Sequence, residues 1–233
     1  MTEIRERVKA FIEENKDSEK AKYDSSLVES RYDVKGVDKK KLEAFAIELA
    51  GEGVKFENLP KSCHDEILLA GLVIAHSNMR AKTKVAQLKK YFKFVDNWST
   101  CDAIAPRMSG MESEREFFVE LLSSKNPFEI RFALVWFKKF ELKDNLVEVV
   151  NLINEKVDNT TYFVDMGLAW IYFEALLLDY DYILEFIQTL KRYVIRNRVL
   201  QKASESARIS DERKQEIKQL RSKLLGIDIE ILK

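Results

Sequence analysis

Cysteine and histidine, the side chains of most zinc and thiol sites, are few in this sequence. It holds two cysteines, Cys63 and Cys101, and two histidines, His64 and His76. The histidines stand too far apart to form a metal-binding pair, and neither cysteine belongs to a C-x-x-C pair, so no zinc or redox site is expected. Cys101 directly precedes Asp102, but no histidine lies near it in sequence; a small buried filler is the plainer reading. There is no glycine-rich phosphate loop and no G-x-S-x-G elbow. What remains is electrostatic. Residues 78–107 hold Arg80, Lys82, Lys84, Lys89, Lys90, Lys93 and Arg107 against Asp96 and Asp102. Residues 191–233 carry 12 basic and 6 acidic side chains, whereas 141–190 carry 2 basic and 10 acidic. Basic stretches gathered on one face would hold a polyanion; the same residues also suit solvated helix faces with both signs interspersed.

The elements that must position these charges are helical. The chain has 233 residues, with 39 Lys plus Arg balanced by 39 Asp plus Glu, and only 7 Gly and 3 Pro. That composition excludes highly charged disorder and argues against a strand-and-turn protein. No apolar run approaches the roughly 18 residues of a membrane span. The charged N-terminus lacks the apolar centre of a signal peptide, and two cysteines make no disulfide framework, so a reducing cytoplasm is the expected compartment. Apolar residues at helical spacing mark 3–14 (Ile4, Val8, Phe11 and Ile12), 38–53 with Asp38 as N-cap, 64–78, 82–97, 98–107, 112–124, 127–140, 144–157, 161–178, 180–195, 197–207 and 211–225. Residues 15–37, with clustered Ser and Asp and poor periodicity, read as mostly loop. The fold class is all-α.

A repeat underlies the helices. Similar apolar segments are centred near Ala70, Asp102, Ala133, Gly167 and Leu200, with steps of 31 to 34 residues between neighbours. A second helix fits between each pair. This is the signature of an α-solenoid of stacked helix hairpins, one continuous domain over 1–233 with a concave surface; a compact bundle is the alternative. Within it, 1–37 is an N-terminal helix and loop, 38–207 the repeats and 208–233 a basic C-terminal helix.

Five segments, RYDVKGVDKKKLEAFAIELA (31–50), NWSTCDAIAP (97–106), EIRFALVWFKKF (129–140), YFVDMGLAWIYFEAL (162–176) and NRVLQKASES (197–206), resemble the AlkD-like DNA alkylation-repair family in order and spacing. The resemblance covers roughly residues 19–206. It implies a C-shaped stack of HEAT-like helix hairpins around a DNA-binding cleft. It also implies a monofunctional glycosylase that releases N3- and N7-alkylated purines without metal or cofactor. The family's cleft Trp and the Asp four positions later match Trp98 and Asp102; its cleft Arg matches Arg131 and its second Trp matches Trp170. At i and i+4, Trp98 and Asp102 share a helix face and can meet one ligand.

The residue types suit that chemistry. An N-alkylated purine is a cation on a weakened glycosidic bond, and cleavage moves positive charge onto the sugar. A fixed carboxylate, here Asp102, stabilises that charge and can orient a water. The indoles of Trp98 and Trp170 attract cations, and Arg131 can grip a phosphate, aided by Lys82, Lys89 and Lys93. Each residue also has a structural reading. Asp102 would serve as a surface or capping acid or as an ion-pair partner of Arg131, and the tryptophans as packing anchors. Trp136 matches no role and reads as core.

Two departures from the family pattern stand out. Its N-terminal amphipathic helix, bearing an aromatic, corresponds here to KYDSSLVESRYDV, a poor helix with Leu27 near the aromatic's place. Basic residues that flank the second Trp are here Met166 and Phe173, which thins the cationic rim. Three readings follow: the glycosylase; a non-catalytic clamp on damaged or branched DNA; and a protein-interaction scaffold, excluded if the cleft carries continuous positive potential. The expected partner is double-stranded DNA carrying alkylated purines, or branched DNA; the expected state is a monomer, cytoplasmic and nucleoid-associated.

Overall fold

A computed structural model of the chain describes residues 2–231. Among the described residues are thirteen α-helices, three single-turn 3-10 segments and no strand, as expected from the sequence. None of the described helices is long and apolar enough to cross a membrane. The first helix, α1 (Thr2–Asn15), turns Val8 and Ile12 into the core and stacks Phe11 on Phe45, with ring centroids 4.1 Å apart.

The expectation of loop through 15–37 is corrected. Ser18–Leu27 forms a helix, α2, which covers half of the stretch read as a poor helix. It buries none of its residues, so it leaves no apolar period to detect. Local bonds hold it instead. The Asp17 carboxylate caps it by accepting from the Lys20 N–H at 3.0 Å, and Lys20 pairs with Asp24 one turn on. The Asp17 N–H donates to the Lys35 carbonyl at 3.1 Å. Gly36 allows this approach: its φ is +76°, and a β-carbon there would stand 2.4 Å from the Asp17 carbonyl oxygen. Glycine alone meets both demands.

Then α3 (Lys39–Gly51) starts at Asp38, whose carboxylate accepts from the N–H groups of Lys40 and Lys41. The chain continues through α4 (His64–His76), buried along nearly its whole length, α5 (Ala81–Tyr91) and α6 (Trp98–Ile104). The helix expected over 82–97 ends early because Asn97 is committed to the next one: its side-chain oxygen accepts from the Thr100 N–H at 3.2 Å and caps α6. There follow α7 (Arg115–Leu122), α8 (Pro127–Phe140), begun by Asn126 and Pro127, α9 (Leu146–Lys156) and α10 (Tyr162–Leu178). The pair expected at 180–195 and 197–207 is shifted. The helices are α11 (Tyr180–Thr189) and α12 (Tyr193–Glu205), parted where Leu190 turns extended and buries its side chain. The last is α13 (Asp211–Ile231).

The even-numbered helices form a succession: α4 packs on α6, α6 on α8, α8 on α10 and α10 on α12. Each of the five segments singled out by the repeat lies on one of these helices. The odd-numbered α5, α7, α9 and α11 attach to the members of this row beside them in sequence. Trp136 is fully buried, stacked on Phe118 at 3.9 Å with its indole N–H donating to the Met108 carbonyl at 3.3 Å, the core role expected of it. At Gly167 the α10 backbone approaches α8 closely; a β-carbon would stand 3.0 Å from Leu134 Cδ1. That crossing carries the next feature.

Candidate functional site

Seven residues of α6 carry both Trp98 and Asp102. The Asn97 cap fixes where the helix begins, so Trp98 stands at its first position and Asp102 one turn on. Asn97 itself is held by its side-chain N–H groups, one to the Asp96 carboxylate at 2.8 Å and one toward His64 Nδ1 at 3.2 Å. Asp96 in turn accepts from the Arg31 N–H at 2.7 Å and from the Ser30 hydroxyl. The Trp98 indole N–H donates to the Leu27 carbonyl at 3.1 Å, which pins the end of α2 against the start of α6.

Arg131, in the second turn of α8, meets Asp102 in a two-pronged pair. Its Nε donates to Oδ1 and its Nη2 to Oδ2, each at 2.8 Å. Its Nη1 donates to the Phe163 carbonyl in α10 at 2.9 Å, and its guanidinium carbon lies 5.8 Å from the Trp98 ring centroid. The side chains of Arg131 and Asp102 are 8% and 18% exposed. Thus Trp98, Asp102 and Arg131 come together. Arg131 spends three of its five N–H groups inside the protein, so its resting partner is Asp102, the structural alternative raised above. Each carboxylate oxygen keeps a second lone pair for a water or ligand.

Trp170 stands two turns beyond Phe163 on α10. It meets Lys138, which stands two turns beyond Arg131 on α8; the Lys138 Nζ lies 3.8 Å from the indole ring centroid. Seven helical residues rise about 10 Å, so Lys138 and Trp170 stand about that far along their helices from Arg131 and Phe163. Burial lowers the Lys138 ammonium below its usual range, while the charges of Glu174 and Asp102 act against that shift. Lys138 was not singled out from the sequence.

Three hollows adjoin Trp98, the smallest of about 40 Å³ between the end of α2 and the start of α4. A second, about 180 Å³, is lined by Lys39, Glu43, Leu68, Leu72, Asp102 and Arg107 among others. The third is an open cavity of about 720 Å³ between Leu27, Glu29, Arg131, Tyr162, Phe163 and Met166. Leu27 lines this larger hollow together with Trp98 and Arg131. Cations from α12 and the turn after it stand beside Met166 and Phe173. Arg198 Nη1 lies 2.9 Å from Met166 Sδ, and Lys202 and Arg208 each stand 5.8 Å from the Phe173 ring centroid.

Lys82, Lys89 and Lys93 lie in or just after α5, and no contact joins them to this group. The Lys89 amine stands 5.8 Å from the Phe117 ring on α7, and the Lys93 carbonyl accepts from Arg31. Both thiols are buried, and burial raises them: Cys63 to about 12, Cys101 further, with its Sγ–H donating to the Phe128 carbonyl at 3.3 Å. A buried thiol of that kind is no nucleophile. Neither histidine faces a metal-binding cluster among the described residues; His76 hydrogen-bonds Glu43 at 3.1 Å.

A family model described as DNA alkylation repair enzyme matches residues 8–207. A search among curated proteins finds no match to the chain.

Proposed function

The chain belongs to the DNA alkylation repair enzyme family, and from that membership we propose that it is a monofunctional glycosylase releasing N3- and N7-alkylated purines from double-stranded DNA. The observation that carries this reading is the Asp102 carboxylate, partly exposed, clamped from behind by buried Arg131 and flanked by Trp98. A carboxylate held in one orientation suits stabilising an oxocarbenium-like sugar, because its charge needs no rearrangement as the bond breaks. In the proposed step the bond from C1′ to the purine nitrogen breaks and its electron pair leaves with the neutralised base. A water held by the free lone pair of Asp102 adds to C1′, and its proton passes through Asp102 to solvent. The base needs no deep pocket of its own if it stays stacked in the duplex.

Arg131 is assigned to positioning Asp102 rather than to gripping phosphate. Phosphate contacts fall to Lys39 at the start of α3, Arg107 just after α6, Lys138 on α8, and Arg198 and Lys202 on α12. Lys82, Lys89 and Lys93 have no part in this step. We read the row of even helices as the inner wall of a C-shaped, HEAT-like solenoid that forms one domain over 1–233, acting as a monomer in the nucleoid. The succession of packing from α4 to α12 supports that reading.

One observation favours the clamp as second reading: both Asp102 oxygens already accept from Arg131. The deciding experiment is base release from duplex DNA carrying N7-methylguanine and N3-methyladenine, comparing the protein with Asp102→Asn. Release lost in the variant supports the glycosylase. No release from either, with salt-sensitive binding to duplex or branched DNA, sinks it in favour of the clamp.

A further inference from the structure

We propose that His64 is a positioning residue of this site: neutral, with Nδ1 bare and its proton on Nε2, it holds the Asn97 cap that sets Trp98 and Asp102. The inference deepens the glycosylase reading and rests on it only where base release is measured. The chain of bonds starts at Thr100. Its backbone N–H can only donate, so the Asn97 side-chain atom facing it at 3.2 Å is the oxygen. The Thr100 hydroxyl donates to the same oxygen at 3.1 Å. The amide nitrogen therefore points the other way with two donors. One goes to the Asp96 carboxylate at 2.8 Å, and the other reaches His64 Nδ1 at 3.2 Å. That donor needs an acceptor, so Nδ1 carries no proton, and an imidazole with one bare nitrogen is neutral. Asn97 is 1% exposed and His64 6%, so water offers no substitute partner.

A proton on His64 Nδ1 would set an N–H against the Asn97 N–H. The amide cannot answer by flipping, because its N–H groups would then face the Thr100 N–H. Either way one buried donor loses its acceptor. The damage falls on the first turn of α6, a helix of only seven residues with Trp98 at its first position and Asp102 one turn on.

The charges around the ring pull in both directions. Burial lowers the His64 pKa below its usual value. Asp65 beside it on α4, Asp96 before α6 and Asp24 on α2 attract the proton, and Lys39 on α3 opposes it. The Asp33 carbonyl accepts the His64 backbone N–H at 2.9 Å, while the Asp33 carboxylate is exposed beside Lys35. His64 and Trp98 both line the hollow of about 40 Å³, which has room for about one water and gives protons a path to the ring. With the folded value below the ordinary one near 6.5, the stability His64 contributes is complete above about pH 6.5 and declines as pH falls toward the folded value. The positioning is lost as pH falls through that folded value.

The test begins with nitrogen–proton NMR of the imidazole, which separates the two tautomers and the cation. His76→Gln assigns His64, since it leaves no other histidine, and Trp98→Phe assigns the Trp98 indole N–H. At pH 7.5 the His64 proton should sit on Nε2. As pH falls, the Trp98 signal should move with the midpoint of His64. Release of N7-methylguanine from duplex DNA should fall about tenfold in kcat for each pH unit below that midpoint, with KM changed far less. His64→Leu, which offers Asn97 no acceptor, should lower kcat about tenfold without regard to pH; His64→Gln, whose carbonyl accepts and does not titrate, should recover most of that loss and show no such acid limb. A proton on Nδ1 at pH 7.5, a Trp98 signal indifferent to the titration of His64, or the same acid limb in His64→Gln would overturn the proposal. Base release absent at every pH would defeat the glycosylase reading, and the tautomer and the Trp98 signal would still decide this one.

Discussion

Removing the Asp102 carboxylate alone should destabilise the fold more than removing it together with Arg131. The Arg131 side chain is 8% exposed and the Asp102 side chain 18%, and two bonds of 2.8 Å join them. In Asp102→Ala the guanidinium keeps only the Phe163 carbonyl. Taking one partner from a fully buried pair costs about 3–5 kcal/mol, and the water that reaches Asp102 puts this case near 3 kcal/mol. Arg131→Met keeps an unbranched stem against the α10 crossing at Gly167 and leaves the more exposed member of the pair behind, so about 1–2 kcal/mol is expected. The double variant leaves no uncompensated charge and should cost about 1 kcal/mol, for a coupling of about 3 kcal/mol. Urea denaturation followed by tryptophan fluorescence measures all four corners of the cycle. For a chain of this size 3 kcal/mol corresponds to roughly 6–12 °C in Tm. Additive single effects, or Asp102→Ala within about 1 kcal/mol of wild type, would refute a desolvated, mutually dependent pair. A large coupling would also mean that base release by Asp102 variants has to be compared well below their melting points.

Gly36→Ala should cost about 2 kcal/mol or undock α2, because the new methyl meets the Asp17 backbone at a positive φ; protease nicking within 18–27 and a shift in Trp98 emission report it. Gly71→Ala should cost about 1–3 kcal/mol, since its β-carbon would lie 2.1 Å from Ile104 Cδ1 at the α4–α6 crossing; the urea midpoint should fall with an unchanged slope. Hydrogen bonding from Arg107 holds the Glu43 carboxyl below its usual value, against the opposing effect of burial and with His76 assisting. That stability is complete above the ordinary carboxylate range and lost as pH falls below about 4.5 through the folded-state value. Glu43→Gln should therefore flatten the acid limb of a Tm-versus-pH curve. Lys202→Gln should lower the slope of log K against log salt by about 1 for duplex binding if it meets a phosphate, whereas Lys82→Gln should leave it unchanged.

The helical class and most helix positions were legible in the sequence because each apolar stripe faces a neighbour. Val8 and Ile12, or Ile183 and Ile187, announce themselves at a spacing of four and are buried. Where the deciding bonds are backbone and polar, the sequence spoke less clearly. Nothing on α2 is buried, so its existence rests on the Asp17 cap, the Lys20–Asp24 pair and the approach at Gly36, none of which has a period. Residues 92–97 look like a continuation of α5, since Phe92 and Val95 are as buried as helix residues. Asn97 decides otherwise by capping α6.

The site was half legible for a related reason. The resemblance brought forward Trp98, Asp102, Arg131 and Trp170 as residue types, but it carried no information on who stands beside each of them. The repeat did carry it. Arg107, Lys138, Trp170 and Lys202 follow one another at 31, 32 and 32 residues, the same step as the apolar centres. When successive helices of a row pack side by side, equal steps put side chains at equal heights on neighbouring helices. Lys138 accordingly lies on Trp170, and Arg198 reaches Met166, 32 positions before it. Met166 and Phe173 each have a cation of α12 beside them, Arg198 and Lys202. The step of the repeat thus sets a cation of α12 against an apolar side chain of α10.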